Sequence, residues 1–237
     1  MSAPHELAMD MLASFREQRG GAAATALAER PVPDPAAIGP TVTVDPTSHR
    51  TVPHDLLTTL ENRRSLRGFS QEPLPAGLLA GIMARALELD EREGDDADGT
   101  DCPLELTVVA HRLTGVTPAV HRFDAAASSF TPVMELPTGA ARYGLTLQPE
   151  FSDAAAIISI GVPLDAAVHR HGGHGYRLLL TRAGSVAYAM WLDGVAHGLV
   201  GSVFAGFIPA AVRGPLLSDG TSRQQIFALA LGLPPAP

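Results

Sequence analysis

Cysteine is almost missing from this chain, in which Cys102 is the only one among 237 residues. A single thiol cannot form an intrachain disulfide, and small domains made for an oxidising compartment usually depend on several. Aromatic residues are also scarce, at 5% of the chain, so the core must consist of Leu, Val, Ile and Ala. We therefore expect a cytoplasmic protein with an aliphatic core, in which a bound cofactor or a partner subunit fills the larger gaps.

Positive charge and long apolar runs are lacking as well. The chain has 17 Lys and Arg against 25 Asp and Glu, a formal net charge of −8. Proteins that bind nucleic-acid backbones need a cationic face that releases counterions, so we expect no nucleic-acid partner. The longest apolar stretches, such as residues 154–162, reach about half the length of a membrane span. Glu6 and Asp10 stand where a secretory signal has a basic flank, so we expect neither an export signal nor a membrane segment.

The composition and the periodicity of the sequence change near residue 52. Apolar residues at helical spacing predict a short amphipathic helix within residues 5–19. Residues 22–46, rich in Ala and Pro, predict an extended arm without regular pairing, of a kind that often wraps a neighbouring subunit. The sequence thus predicts an N-terminal helix and Pro-rich arm over residues 1–52 and one compact domain over residues 53–237.

Helical and strand patterns alternate within the predicted domain. Helices are predicted from Pro53 to the cluster at residues 62–69 and again after Pro75, the second ending in an acidic loop at residues 91–101. Further along the chain, the patterns predict a hairpin of strands at 104–111 and 119–124, a buried strand at 154–162, a polar loop at 170–177, a long helix at 178–197, and strands at 199–204 and 225–231. Such interleaving predicts an α+β sandwich with a mixed central sheet flanked by helices.

A basic cluster, Arg63-Arg64-Ser65-Leu66-Arg67-Gly68-Phe69, follows the first predicted helix of this domain. Two guanidinium groups on either side of a hydroxyl can hold a phosphate through charge-assisted hydrogen bonds. The alternative is that the cluster is a solvated helix end. The sequence itself does not decide between the two interpretations.

Four segments, in chain order, resemble the flavin-dependent nitroreductase superfamily and, within it, the SagB-type dehydrogenases that oxidise peptide azolines to azoles. They are the basic cluster with Pro73, PLELTVVAHR to HRFD at residues 103–124, Gly175-Tyr176-Arg177 with Ala183-Gly184, and Gly198-Leu199 through Phe207. The resemblance spans about residues 55–232. It implies a nitroreductase-like fold, bound FMN and a homodimer with the flavin at the subunit interface. By the same resemblance, Arg63, Ser65 and Arg67 would hold the FMN phosphate and the edge of the isoalloxazine ring.

The turn Ala205-Gly206 in the fourth segment is a second candidate for cofactor binding. Small side chains let backbone amides approach a flat ring, and an amide aimed at flavin N5 would polarise the atom that accepts hydride. The alternative is an ordinary turn before a helix that begins near Pro209.

The third segment departs from the family pattern at the positions that carry catalysis. The relatives usually have a Lys-Tyr pair there, whereas this chain has Arg170-His171. Arginine does not give up its proton in proteins and cannot act as the general base. We predict that His171 takes the azoline proton while hydride leaves for the flavin, and that Arg170 stabilises negative charge. The alternative is that both are loop residues without a catalytic role.

Two further departures concern the flavin. Acidic residues crowd an Ala97-Asp98-Gly99 turn where the family has a hydroxyl, and Leu233 stands where it has an arginine. The leading prediction is therefore an FMN-dependent oxidoreductase that converts thiazoline or oxazoline rings to azoles in a ribosomally synthesised peptide. The alternative is a degenerate, non-catalytic subunit of the same fold that scaffolds or regulates an active paralogue or a cyclase. Histidines at positions 169, 171 and 174 come without a thiolate cluster, so we predict no metal site.

Overall fold

The computed structural model describes residues 33–48, 53–93 and 102–236, together with Glu6, Met9, Asp10 and Ala13, which are helical. The rest of the predicted helix at residues 5–19 lies outside the described residues. So do most of the predicted acidic loop and the turn at residues 97–99. Within the described ranges, no helix has the length and apolar character needed to cross a membrane.

A seven-stranded sheet forms the centre of the domain, in the order β1-β6-β5-β3-β7-β9-β8. Its strands are β1 (Val42–Thr43), β3 (Glu105–Ala110), β5 (Ala119–Asp124), β6 (Ser129–Glu135), β7 (Ala156–Val162), β8 (Val200–Phe204) and β9 (Gln224–Gly232). Neighbouring strands of this sheet are antiparallel throughout. Parallel pairing occurs between the short strands β2 (Leu74–Pro75) and β4 (Leu113–Thr114) and at an isolated bridge from Ser65 to Gly201. The predicted α+β sandwich is confirmed, with a main sheet that is antiparallel rather than mixed.

Helices cover one face of this sheet, and irregular chain covers the other. The helices are α1 (Leu56–Asn62), α2 (Ala76–Glu93), α3 (Leu164–His171), α4 (Gly173–Ala196) and α5 (Pro209–Val212), and 3-10 turns lie at Gly139–Leu145 and Pro149–Asp153. Because side chains alternate along a strand, Ile158 packs in the same cluster as α2 and α4, whereas Ile157 faces the cluster that contains Phe151. The strand β7 is buried on both faces, as predicted.

Most strand predictions are confirmed, including the hairpin of β3 and β5. Strand β6 was not predicted, because Pro132 interrupts its pattern and proline cannot donate to a ladder. The structure accommodates Pro132 opposite His121, where the register between β5 and β6 shifts by one residue at a bulge in β6. The carbonyl of Pro132 still accepts a hydrogen bond from the amide of Ile38 at 2.9 Å.

The predicted polar loop at residues 170–177 is wrong. Helix α3 continues to His171, and α4 begins at Gly173, so Gly172 alone separates the two helices. Gly172 has a φ of 59°, which glycine adopts without strain. At Gly175, a Cβ atom would lie 2.1 Å from the carbonyl oxygen of Ala167, so this position requires glycine for α3 and α4 to cross closely.

The described part of the Pro-rich arm packs on its own domain. Val42 and Thr43 pair with β6, so the predicted absence of regular pairing is wrong for these two residues. Asp34 pairs with Arg122, and Arg223 donates to the carbonyl of Pro33 at 2.6 Å. The division of the chain at residue 52 stays a prediction, since no observation tests residues 1–32 as a separate unit.

Candidate functional site

The basic cluster runs along the edge strand of the sheet. Helix α1 ends at Asn62, and its C-cap Arg63 already has extended backbone angles. Ser65 forms a parallel bridge with Gly201 of β8, and the amide of Leu66 donates to the Gly201 carbonyl at 3.1 Å. Further along, the amide of Ser70 donates to the carbonyl of Leu233 at 2.9 Å. The cluster therefore lies beside β8, the strand that leads into the Ala205-Gly206 turn.

Two aromatic rings hold the arginines of the cluster. The guanidinium carbon of Arg63 lies 4.8 Å from the centre of the Trp191 ring, and that of Arg67 lies 5.5 Å from the centre of the Phe151 ring. Such cation–π contacts orient a guanidinium group without neutralising it. Ser65, between them in the sequence, is exposed. The three residues predicted to hold a phosphate thus lie beside one strand edge, and the two rings that orient Arg63 and Arg67 belong to the clusters on opposite faces of the sheet.

Glu150 forms an ion pair with Arg67. Its Oε1 accepts a hydrogen bond from Nη1 of Arg67 at 2.7 Å, and the two side chains are 38% and 56% exposed. The pKa of Glu150 is lowered mainly by a hydrogen bond to its own backbone and further by Arg67. Sequence reasoning missed this pair because the two residues are 83 positions apart.

The Ala205-Gly206 turn contacts the chain between the two 3-10 turns. The carbonyl of Gly206 accepts from the amide of Leu147 at 2.7 Å, and Phe207 forms an antiparallel bridge with Thr146. A Cβ at position 206 would lie 2.4 Å from Oε1 of Gln148, so a larger residue here would require the Gln148 side chain to move. The group that lies against this turn is the side chain of Gln148, and the expected approach of a flavin ring to Ala205-Gly206 stays a prediction.

We call residues 147–150 the tip. The residues that flank it are buried, with exposed fractions of 1% for Leu145, 3% for Thr146 and 1% for Phe151, whereas Leu147 within it is 71% exposed. The Phe151 ring stacks on Phe204 at 4.1 Å between centroids. The tip is thus a short exposed segment, fixed at both ends, that lies over Gly206 and Arg67. It was not predicted as part of the site, because its sequence has no periodicity and its position depends on long-range contacts.

A second group of cations ties the basic cluster to the chain around the tip. Arg112 donates to the carbonyls of Ser70 at 3.1 Å and Asp153 at 2.6 Å, and Arg142 donates to the carboxylate of Asp153 at 2.5 Å. Burial, together with the charges of Arg112 and Arg142, lowers the pKa of His111 to about 4. His111 is therefore neutral at physiological pH, and the positive charge of this region comes from arginines.

Arg170 and His171 lie on another element. They form the last turn of α3, where Arg170 is exposed and His171 is half-buried. The α3–α4 corner is set by the close contact at Gly175, whereas the basic cluster and Gly206 are set by β8. The catalytic assignment of Arg170 and His171 stays a prediction. Among the described residues, His, Cys, Asp and Glu form no group of three or more that could hold a metal ion.

The arrangement fits an FMN phosphate better than it fits the flavin ring. At the phosphate end, the residue types of Arg63, Ser65 and Arg67 suit an anion, with Ser65 bridged to β8 and the two arginines held by Trp191 and Phe151. At the ring end, the Gln148 side chain lies against Gly206, in the position that a Cβ at this residue would occupy. The backbone of Leu233 pairs with Ser70, and its apolar side chain packs against the core instead of adding a cation.

The fold is shared by solved proteins of the nitroreductase type. A nitroreductase from Anabaena variabilis aligns over 81% of this chain with a TM-score of 0.64 and 21% identity, although this chain spans only 42% of that protein. A nitroreductase from Ralstonia eutropha aligns over 88% of this chain and 97% of its own, with a TM-score of 0.60 and 17% identity. A chain of the E. coli microcin synthetase McbBCD complex with truncated pro-MccB17 bound aligns over 98% of this chain and 94% of its own, with a TM-score of 0.55 and 14% identity. No family model and no curated protein matches the sequence. The predicted nitroreductase-like fold is confirmed by the similarity to the solved structures.

Proposed function

We propose that this chain is an FMN-dependent oxidoreductase that dehydrogenates thiazoline or oxazoline rings in a ribosomally synthesised peptide. The observation that supports the proposal is that Arg67 and Gly206 both contact the tip, while Ser65 bridges Gly201 of β8, so the cationic cluster and the turn lie near each other. A flavin mononucleotide needs both features, cations for its phosphate and unobstructed backbone for its ring. The peptide substrate class is supported by the four sequence motifs and by the similarity to a chain of the microcin synthetase complex.

Each candidate residue has a stated role in this proposal. Arg63, Ser65 and Arg67 bind the phosphate and the ring edge, and the backbone at residues 205 and 206 faces the ring. Bound FMN would accept a hydride from the azoline ring. His171 takes the accompanying proton, and Arg170 stabilises negative charge on the substrate. From the resemblance to the family, we also propose a dimer with the flavin at the subunit interface, formed with a second copy, a homologue or a cyclase.

The first test is the flavin itself. The purified chain is incubated with saturating FMN, desalted, and examined for flavin absorbance and for flavin released on denaturation. Arg67→Ala should weaken FMN binding by roughly ten- to a hundredfold, since hydrogen bonds to charged groups are worth about 1.5–3 kcal/mol. The control is Arg64→Ala, which removes an exposed cation with no assigned role from the same cluster. Equal affinities of the two variants would refute the assigned role of Arg67.

A second candidate function is a non-catalytic subunit that scaffolds or regulates an active paralogue or a cyclase. Two contacts favour it: the Gln148 side chain lies against Gly206, and Glu150 forms an ion pair with Arg67. The apolar residue at position 233 favours it as well. Flavin absorbance in a co-purified complex but not in the isolated chain would support it. The double substitution Arg170→Lys with His171→Tyr restores the usual family pair, so a gain of turnover would indicate a decayed site and a loss of turnover a rerouted one.

A further inference from the structure

The tip contacts two parts of the proposed flavin site, the side chain of Arg67 and the turn at Gly206. Glu150 pairs with Arg67, and Gln148 lies in the space beside Gly206. The amide of Leu147 also takes the Gly206 carbonyl. The Arg67 pair uses a cation that the flavin would contact if it bound as proposed above, and the other two contacts lie at the turn that the ring would face.

We propose that the tip is an internal competitor of the flavin, which must displace residues 147–150 from Gly206 and Arg67 in order to bind. This inference rests on the proposed function and adds a regulatory element to it. Oε1 of Gln148 is buried and accepts no hydrogen bond within the described residues. A buried polar atom without a partner is unfavourable, so the closed tip is easier to open at this point than a fully satisfied contact would be.

The extent of the movement follows from the buried residues on either side. Leu145 and Phe151 belong to the core on this face of the sheet, and the amide of Ile208 donates to the Leu145 carbonyl at 2.9 Å. These anchors remain in place when the tip opens. Opening therefore breaks the Leu147–Gly206 hydrogen bond and the Arg67–Glu150 pair while the domain stays folded.

The electrostatics favour competition. Glu150 places a negative charge on the cation that the anionic cofactor needs, so its removal should strengthen FMN binding. The pair is largely exposed, and such pairs contribute little, so the gain should be about two- to fivefold. Gln148→Ala should strengthen binding in the same direction, because it removes the side chain that lies against Gly206.

The experiment measures FMN affinity and amide exchange on the same proteins. Dissociation constants are obtained from the quenching of flavin fluorescence for the wild-type chain, Glu150→Gln, Gln148→Ala and a control, Glu135→Gln. The control makes the same charge change at an exposed residue that ends β6. Hydrogen exchange of the Leu147 amide is followed with and without FMN. We expect Glu150→Gln to speed this exchange about two- to fivefold without FMN, and saturating FMN to abolish the protection in the wild-type chain.

Three other results would overturn the inference, and they differ in what they say about the function. Weaker FMN binding by Glu150→Gln or Gln148→Ala would make the tip a part of the binding site instead of a competitor. FMN binding that leaves Leu147 protected, with equal affinities for all four proteins, would refute the competition alone. Failure of every protein to bind FMN would refute the proposed function and the competition together.

Discussion

Replacing Gly175 by alanine should separate α3 from α4. A Cβ at this position would lie 2.1 Å from the carbonyl oxygen and 2.4 Å from the carbonyl carbon of Ala167. Both are backbone atoms, so no side-chain rotation can relieve the clash. Forcing extra atoms into a packed contact typically costs about 1–3 kcal/mol, and the better helix propensity of alanine returns up to about 1 kcal/mol. We expect Gly175→Ala to lower the free energy of unfolding by about 1–2 kcal/mol.

A matched control lies on the same helix. A Cβ at Gly184 would find only the ring of Phe227, at an ordinary contact distance of 3.9 Å. Gly184→Ala should therefore stabilise the protein by up to about 1 kcal/mol, because alanine favours the helix interior. The two substitutions are chemically identical, yet the structure gives them opposite signs.

Urea unfolding, followed by circular dichroism and compared at equal slopes, measures both changes. Equal or increased stability of Gly175→Ala would refute the close crossing of α3 and α4. The same crossing places Arg170 and His171 at the end of α3. If the catalytic assignment is right, Gly175→Ala should also reduce turnover with FMN affinity unchanged, since the basic cluster bridges β8 and meets α4 at Trp191, near the other end of that helix.

Three more predictions follow from named contacts. Burial and neighbouring arginines lower the pKa of His111 to about 4. Because the unfolded chain then binds a proton more readily than the folded chain, the free energy of unfolding should be unaffected above about pH 6.5 and should fall by up to about 3 kcal/mol as the pH drops towards 4. Urea unfolding of His111→Gln across this pH range should give a flatter stability profile than the wild-type chain. An unchanged slope would contradict the buried neutral histidine. Arg182 donates to both carboxylate oxygens of the buried Asp90 and to the carbonyl of Cys102, so Arg182→Ala should cost about 3–5 kcal/mol in urea unfolding, and Arg182→Ala with Asp90→Asn should cost less. Gly201→Ala would place a Cβ 1.9 Å from the carbonyl of Ala230, so it should disturb β8, lower the melting temperature and weaken FMN binding, and normal FMN binding would contradict the role given to the Ser65 bridge.

The parts of the fold that the sequence predicts are those with strong local patterns. Strand β7 is a continuous apolar segment, and α2 carries a regular apolar face, so both were predicted close to their observed bounds. Strand β6 was missed because Pro132 breaks its pattern, and the bulge at Val133 beside it is visible only in the structure. The sequence predicts a longer loop between α3 and α4 because glycines and histidines at residues 169–175 are typical of loops, although they form the end of one helix and the start of the next.

The candidate site was predictable only in part, for a related reason. The residue types at positions 63–67 already indicate phosphate binding, since two guanidinium groups beside a hydroxyl suit an anion. What surrounds them depends on contacts between distant parts of the chain, such as Arg67 with Glu150 and Arg63 with Trp191. The tip has no pattern of its own, and its place over Gly206 comes from Leu145 and Phe151 in the core.

The central claim is that the arginines beside Ser65 and the turn at Gly206 form one flavin site. The most direct measurement is the absorbance spectrum of the chain after gel filtration from an FMN mixture, recorded together with its mass in solution. The account predicts flavin bands that co-elute with the protein and are lost in Arg67→Ala but kept in Arg64→Ala. A colourless wild-type peak of correctly folded protein, whether alone or in its complex, would contradict it.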